Sequence, residues 1–141
     1  MRFHLFIYPF LFLAGTLVFA ENELDLSQVA GSGTAEQMRE MIASGADLKS
    51  KDISGRNALM QAVLFGNHET ALVLLENKPD LESKDGLGLT PLTISVRYGD
   101  TEMTKILLEH GANVNSTIED GSTPLFFAAL EGQLSAVRLL L

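Results

Sequence analysis

Cysteine is absent from this chain of 141 residues. Its absence excludes disulfides, which exported chains often use, together with cysteine-based zinc sites, thiol catalysis and a lipid anchor attached to cysteine. Histidine is almost as scarce, since only His68 and His110 occur after residue 20. Neither histidine belongs to a His-x-x-x-His or His-Glu-x-x-His pair, so no zinc site is predicted, and we expect a structural role for His110.

Positive charge is also in short supply. Ten Lys and Arg residues face eighteen Asp and Glu residues, which gives a net charge of −8. Binding to nucleic acid or to an anionic membrane surface relies on cations, so this balance argues against both. An acidic, well-solvated surface that favours solubility is the simpler interpretation, and a basic partner is compatible with the charge without being required by it.

Recognisable catalytic motifs are missing as well. The glycine pairs at residues 31–33 and 86–88 do not continue into the Gly-Lys-Ser or Gly-Lys-Thr of a phosphate loop, and no Gly-x-Ser-x-Gly elbow occurs. Glu119 and Asp120 are adjacent, but they fall at a predicted loop tip, where water prevents the separation of two carboxyl pKa values. We therefore predict a non-enzymatic protein with no catalytic residue, cofactor or metal.

The first twenty residues have the features of a signal peptide. Arg2 precedes an almost wholly apolar stretch over residues 5–18, and the sequence turns polar after Ala20. This pattern predicts cleavage after Ala20 and export to a periplasm or to the outside, with no membrane contact after cleavage. The alternative is an uncleaved anchor, but the stretch is shorter than the roughly 20 residues of a spanning helix and contains Pro9 and Gly15.

The remainder of the chain repeats itself every 33 residues. A period of this length is typical of a solenoid, in which each unit buries its apolar face against its neighbours. The steps are seen at Gly33, Gly66, Gly99 and Gly132, at Leu26, Leu59, Leu92 and Leu125, and at Gly55, Gly88 and Gly121.

The sequence of each unit predicts a turn followed by two short helices. Glycine at the fourth position suits a turn residue with positive φ. Thr90 and Thr123, or Asn57 in the first full unit, can then cap a helix, and proline follows each threonine at the first helical position. A second helix, rich in leucine, completes the unit, and its apolar residues recur at helical spacing.

These motifs resemble the ankyrin repeat. The Asp-x-x-Gly-x-Thr-Pro-Leu start occurs at residues 85–92, the Ala-Ala-x-x-Gly segment at residues 128–132, and the Leu-Leu-x-x-Gly-Ala-Asn-Val-Asn end at residues 107–115. The resemblance implies an all-α solenoid of helix-turn-helix units joined by β-turn or hairpin loops. The expected division is a signal peptide at 1–20, a degenerate N-terminal capping repeat at 21–51, with its first helix at 25–31, repeats at 52–84 and 85–117, and a shortened repeat at 118–141.

Three further features of the sequence carry expectations of their own. Lys78-Pro79 stands where the next unit has Gly111-Ala112, and because a residue before proline prefers extended geometry, we expect the chain to turn at Asn77 instead. Asn115 begins an N-glycosylation acceptor sequence, although asparagine also suits the closing loop.

The third feature is that the last unit ends at residues 139–141, within its second helix. These three leucines are expected to face solvent. They fit either a longer ankyrin-repeat protein, with further repeats or an enzymatic domain beyond, or an edge that a partner or a second copy covers.

The resemblance further implies that another protein binds the turn tips and the inner faces of the first helices. Phe65, Arg97 and Tyr98 are the first candidates, with partial burial as the alternative for Phe65. The full set is Ile53, Ser54, Arg56, Leu64, Phe65, Leu87, Leu89, Arg97, Tyr98, Glu119, Asp120, Ser122, Leu130 and Glu131.

Overall fold

Residues 25–141 are described by a computed structural model; the predicted signal peptide lies outside them. Eight short helices and no strand occur in this range, and they follow one another as four pairs. The helices are α1 (Leu26–Ser32), α2 (Ala35–Ala43), α3 (Ala58–Leu64), α4 (His68–Glu76), α5 (Pro91–Arg97), α6 (Thr101–Glu109), α7 (Pro124–Leu130) and α8 (Leu134–Leu140). The predicted all-α class of helix-turn-helix units is confirmed.

The first helix of each pair begins where the polar caps predict. The hydroxyl of Thr90 accepts a hydrogen bond from the amide of Thr93, and the side chain of Asn57 accepts one from the amide of Met60. Pro91 and Pro124 occupy first-turn positions, where no amide partner is lost. The first helix of the N-terminal unit lies one residue later than predicted, with Asp25 as its cap.

The helices stack into one continuous core. The first helices of neighbouring pairs pack against each other along the whole array, from α1 to α3, α5 and α7. Met60, Val63, Ile94 and Leu107 are among the apolar side chains that this stacking buries almost completely. Burial of such side chains against the next unit is what holds a solenoid together in the absence of disulfides.

Polar side chains also join neighbouring units. Lys51 Nζ donates to the carbonyl oxygen of Lys84 at 2.8 Å, and Lys84 Nζ donates to that of Thr117 at 2.6 Å, one repeat further on. Asn67 Nδ2 donates to the carbonyl oxygen of Gly33 at 2.8 Å. The two lysine bonds recur at the repeat spacing, and all three bonds fix the register of one unit on the next.

The turn after α4 differs from the sequence-based expectation. Lys78 adopts a left-handed φ of 50°, while Asn77 has a φ of −90°, so the prediction of a turn at Asn77 is wrong. Gly45 and Gly111 hold the equivalent positions with φ values of 88° and 93°. The stacked repeats therefore impose the same chain reversal on every unit, and this requirement overrides the preference of the residue before proline for extended geometry.

The last helix pair exposes apolar side chains that earlier pairs bury. Phe126 is 51% exposed, whereas Thr93 and Met60, 33 and 66 residues earlier, are at most 2% exposed because the next unit covers them. The expectation of three solvent-facing leucines needs correction. Leu141 is 89% exposed, but Leu140 is buried at 8% because it points back into the core. Among residues 25–141, no helix is long and apolar enough to cross a membrane.

Candidate partner-binding face

The first full turn is shaped by Asp52. Its Oδ1 accepts hydrogen bonds from the amides of Ser54 at 2.8 Å and Arg56 at 3.0 Å, and Gly55 supplies the left-handed residue with a φ of 74°. The Arg56 amide is the main reason that the pKa of Asp52 lies below its ordinary value. This arrangement leaves Ile53 fully exposed at the tip.

The second turn is built in the same way around Asp85, which is itself buried. Asp85 Oδ1 accepts from the amides of Leu87 and Leu89 at 2.9 Å each, and Oδ2 lies 3.4 Å from Arg56 Nε in the preceding turn. Leu87 is exposed at the tip, but Leu89 is buried at 4%. Leu89 was predicted as a partner-binding residue, and its burial removes it from the surface because the chain turns inward there to begin α5.

Arg56 is available to a partner only in part. It is half-buried, and its guanidinium is engaged by Asp85, so the predicted contact residue also ties one turn to the next. Ser54, its neighbour in the same turn, is exposed as predicted.

The tip of the third turn carries acidic side chains, whereas the tips of the first two turns carry apolar ones. Ile118 replaces the aspartate that shapes the other turns, and Asp120 Oδ1 instead accepts from the amide of Ser122 at 2.8 Å. Hydrogen bonds from Ser122, from its side chain first and then from its amide, lower the pKa of Asp120 below the ordinary value. Glu119 and Asp120 are exposed, and Ser122 is half-buried.

The ends of the first helices present a second row of predicted residues. Phe65 is 67% exposed and Tyr98 is 64% exposed, each at the residue that caps its helix, and Glu131 is exposed at the same position one unit later. Phe65 is therefore available to a partner, although one side of its ring touches Gly31 of α1. Leu64, one residue before Phe65, is half-buried.

The positions equivalent to Leu64 in the next two units, Arg97 and Leu130, are exposed. The guanidinium carbon of Arg97 lies 5.3 Å from the centre of the Phe127 ring, which is a cation–π distance. Leu130 is 67% exposed.

The turns and the helix ends share one side of the molecule around α3. The Gln61 amide nitrogen of α3 donates to Asp52 Oδ2 of the turn. Gln61 also lines a cleft with Phe65 and with α1 residues Ser27, Gln28, Gly31 and Ser32. Gln28 and Ser32 were missed by sequence analysis because the N-terminal unit is degenerate. Their positions, 33 residues before Gln61 and Phe65, were the signal that could have found them.

The described histidines serve the scaffold. His68 Nε2 lies 2.7 Å from Asp100 Oδ2 in the following unit, and His110 Nδ1 donates to the carbonyl oxygen of Ile106 at 2.8 Å. Within residues 25–141, no group of three His, Asp or Glu side chains is placed to hold a metal ion. The exposed features of this face are apolar, aromatic and acidic side chains on a rigid repeat, which is chemistry suited to contacting another protein.

Comparison with protein families agrees with this architecture. Residues 74–141 match the family model described as ankyrin repeats (3 copies). The match identifies ankyrin repeats over residues 74–141. A comparison with curated proteins found no match. The helices α1 to α4, which lie wholly or mostly before the matched range, have polar caps and packing similar to those within it. Ankyrin repeats generally serve as protein–protein interaction modules.

Proposed function

We propose that this ankyrin-repeat chain is a non-enzymatic binding module that holds a partner protein against its turn tips and first-helix ends. The observation that carries the proposal is the exposure of Ile53 and Leu87 at successive turn tips and of Phe65 and Tyr98 at successive helix ends. Large apolar side chains grouped in this way are typical of an interaction surface, and aromatic residues commonly supply most of the binding energy.

Site-specific photo-crosslinking tests the proposed face in the cells that make the protein. A photoreactive phenylalanine analogue replaces Tyr98 in one variant and Phe65 in another. A third variant carries it in place of Leu72, which is 40% exposed on α4, a second helix of its pair, and serves as the matched control. We expect a discrete adduct from positions 65 and 98 and none from position 72. Adducts from position 72 alone would place the partner on the opposite side and refute the proposal.

We further propose that the module acts after export. The support is the apolar stretch over residues 5–18, followed by the small residue Ala20 and a polar sequence. The mass of the protein isolated from its source tests this proposal. Export predicts a chain that has lost residues 1–20, whereas a chain that keeps them and fractionates with membranes would favour an uncleaved anchor.

A further inference from the structure

We propose that the partner-binding face receives an extended, polyproline II segment, with apolar side chains at positions i and i+3 and a Lys or Arg at i+6. This inference rests on the proposed function and specifies the chemistry of the partner. It follows from two properties of the face. One is the spacing of its exposed side chains, and the other is the change from apolar side chains at one end to acidic side chains at the other.

The spacing comes from a row of equivalent positions at the ends of the first helices. Ser32, Phe65, Tyr98 and Glu131 are separated by exactly one repeat each, and all four are exposed. Neighbouring packed helices lie about 8–10 Å apart. The row therefore offers one exposed side chain about every 8–10 Å along the array.

A polyproline II segment matches that interval better than a strand does. Its three residues per turn rise about 9.3 Å in total, so side chains at i and i+3 lie on the same side and meet successive units. In a β-strand, side chains on one side recur after about 6.6–6.8 Å, which would fall out of step after one unit. Aromatic-lined grooves are also the surfaces that bind this conformation elsewhere.

The two central units supply the apolar half of the face. Phe65 and Tyr98 stand in the helix-end row, and Ile53 and Leu87 stand at the turn tips. Beside Phe65, the mainly apolar cleft between α1 and α3 includes exposed Gln28, whose side-chain amide can donate to the carbonyl groups of an extended chain.

The last unit supplies the acidic half. Glu131 occupies the helix-end row, and Glu119 and Asp120 occupy the turn tip. Within the described residues, none of the three carboxylates forms a salt bridge, and the hydrogen bonds from Ser122 favour the charged form of Asp120. Arg97 contributes one positive charge nearby, but its guanidinium lies over Phe127. A Lys or Arg of the partner is the complementary charge at this end.

The test uses the full chain and a phage-displayed library of random twelve-residue peptides. We expect the enriched peptides to share two apolar residues or prolines three positions apart, with Lys or Arg three positions beyond the second. Synthetic copies should bind at least tenfold more weakly to Phe65→Ser or Tyr98→Ser. They should bind several-fold more weakly to the triple variant Glu119→Gln, Asp120→Asn, Glu131→Gln, which should also show less salt dependence. Leu72→Ser should bind as the wild type does.

Several results would overturn the inference. These are no enrichment over an unrelated protein, enriched peptides without basic residues, an apolar alternation of period two, or binding that the triple variant leaves unchanged. If photo-crosslinks at positions 65 and 98 still trap a partner in any of these cases, the proposed function stands and only the partner chemistry is wrong. If those crosslinks are also absent, both proposals fail.

Discussion

The ring of Phe65 lies against the backbone of Gly31, so that a Cβ atom built on Gly31 would come within 2.7 Å of Phe65 Cδ2. This contact explains how a large aromatic ring can stand at the surface in a defined position. Gly31 gives the ring a flat support on the preceding unit, and the support exists only because residue 31 has no side chain.

The first prediction concerns Gly31→Ala. The new methyl group displaces the Phe65 ring, whereas alanine favours the helical backbone of α1 by up to about 1 kcal/mol. These effects offset each other, so we expect the free energy of unfolding in urea to change by less than about 0.5 kcal/mol. Nuclear Overhauser contacts between residue 31 and the Phe65 ring should weaken, and the peptides selected on the wild type should bind less tightly.

Gly33→Ala is the matched control. A Cβ atom there would lie 2.7 Å from the carbonyl oxygen of Val29 and 2.8 Å from its Cα atom, and backbone cannot swing aside as a ring can. We expect this variant to lose about 1–3 kcal/mol of stability. Equal losses from both alanine variants would contradict the view that Gly31 supports a movable ring.

The second prediction concerns the strained turn at Lys78. Its φ of 50° costs a residue with a Cβ atom about 1–2 kcal/mol, a cost that Gly45 and Gly111 avoid in the equivalent turns. Glycine would remove this cost, but its greater flexibility in the unfolded chain offsets part of the gain. Lys78→Gly should therefore raise the free energy of unfolding by about 0.5–1 kcal/mol. Lys78→Ala, which keeps the Cβ atom, should give no such gain, and an equal gain from both would assign the effect to the lost charge.

Lys78 also marks the limit of what the sequence could predict. Phasing by 33 residues was sufficient to find the repeats, and the caps at Asn57, Thr90 and Thr123 followed from local chemistry. The turn at Lys78 failed because the local preference imposed by Pro79 was weighed without the geometry of the stacked neighbours. A local rule is a poor guide wherever adjacent units dictate the backbone.

The partner-binding face also contains residues whose exposure the sequence predicted correctly and one whose exposure it did not. The turn motif correctly brought Ile53 and Leu87 to exposed tips, because the aspartate and glycine that shape each turn are read directly from the sequence. Leu89 looked equivalent to Arg56 by spacing, yet it is buried. Its position in the repeat was correct, but an apolar side chain at the edge of a turn folds into the core where a charged one stays half-exposed.

The third prediction exchanges the residues that begin the second helices. Asn67 caps α4 through its Oδ1 and bonds Gly33 through its Nδ2. Gln133, the equivalent residue before α8, makes no capping bond, and its Oε1 is buried without a hydrogen-bond partner within the described residues. Shortening the side chain in Gln133→Asn brings the amide oxygen to the capping position, which should stabilise the fold by about 1 kcal/mol.

Asn67→Gln is the reciprocal control for that exchange. It places the longer side chain before α4, which Asn67 caps in the wild type. Because both the capping bond and the bond to Gly33 would be lost, we expect the free energy of unfolding to fall by about 1–2 kcal/mol. Thermal and urea unfolding of the two variants measures both changes. A loss of stability in Gln133→Asn would mean that the longer side chain of Gln133 contributes packing that outweighs its unsatisfied oxygen.

The fourth prediction concerns the open apolar surface of α7 and α8. Phe126, Leu130 and Leu134 are each more than half exposed, and a second copy of the chain could cover them. We expect sedimentation equilibrium to show an average mass that rises with protein concentration. It should rise further with salt, because a net charge of −8 on each copy opposes association and salt screens that repulsion.

Phe126→Thr tests the surface directly, since threonine is the residue that the preceding unit carries at the equivalent position, Thr93. The substitution should reduce self-association. It should also lower the free energy of unfolding by about 0.5–1.5 kcal/mol, because the half-exposed Phe126 ring makes an edge-to-face contact with Phe127 at 5.6 Å. Leu72→Thr, on the exposed side of α4, should leave the average mass unchanged. A wild-type chain that stays monomeric at every concentration and salt level would show that the exposed ring of Phe126 does not drive association.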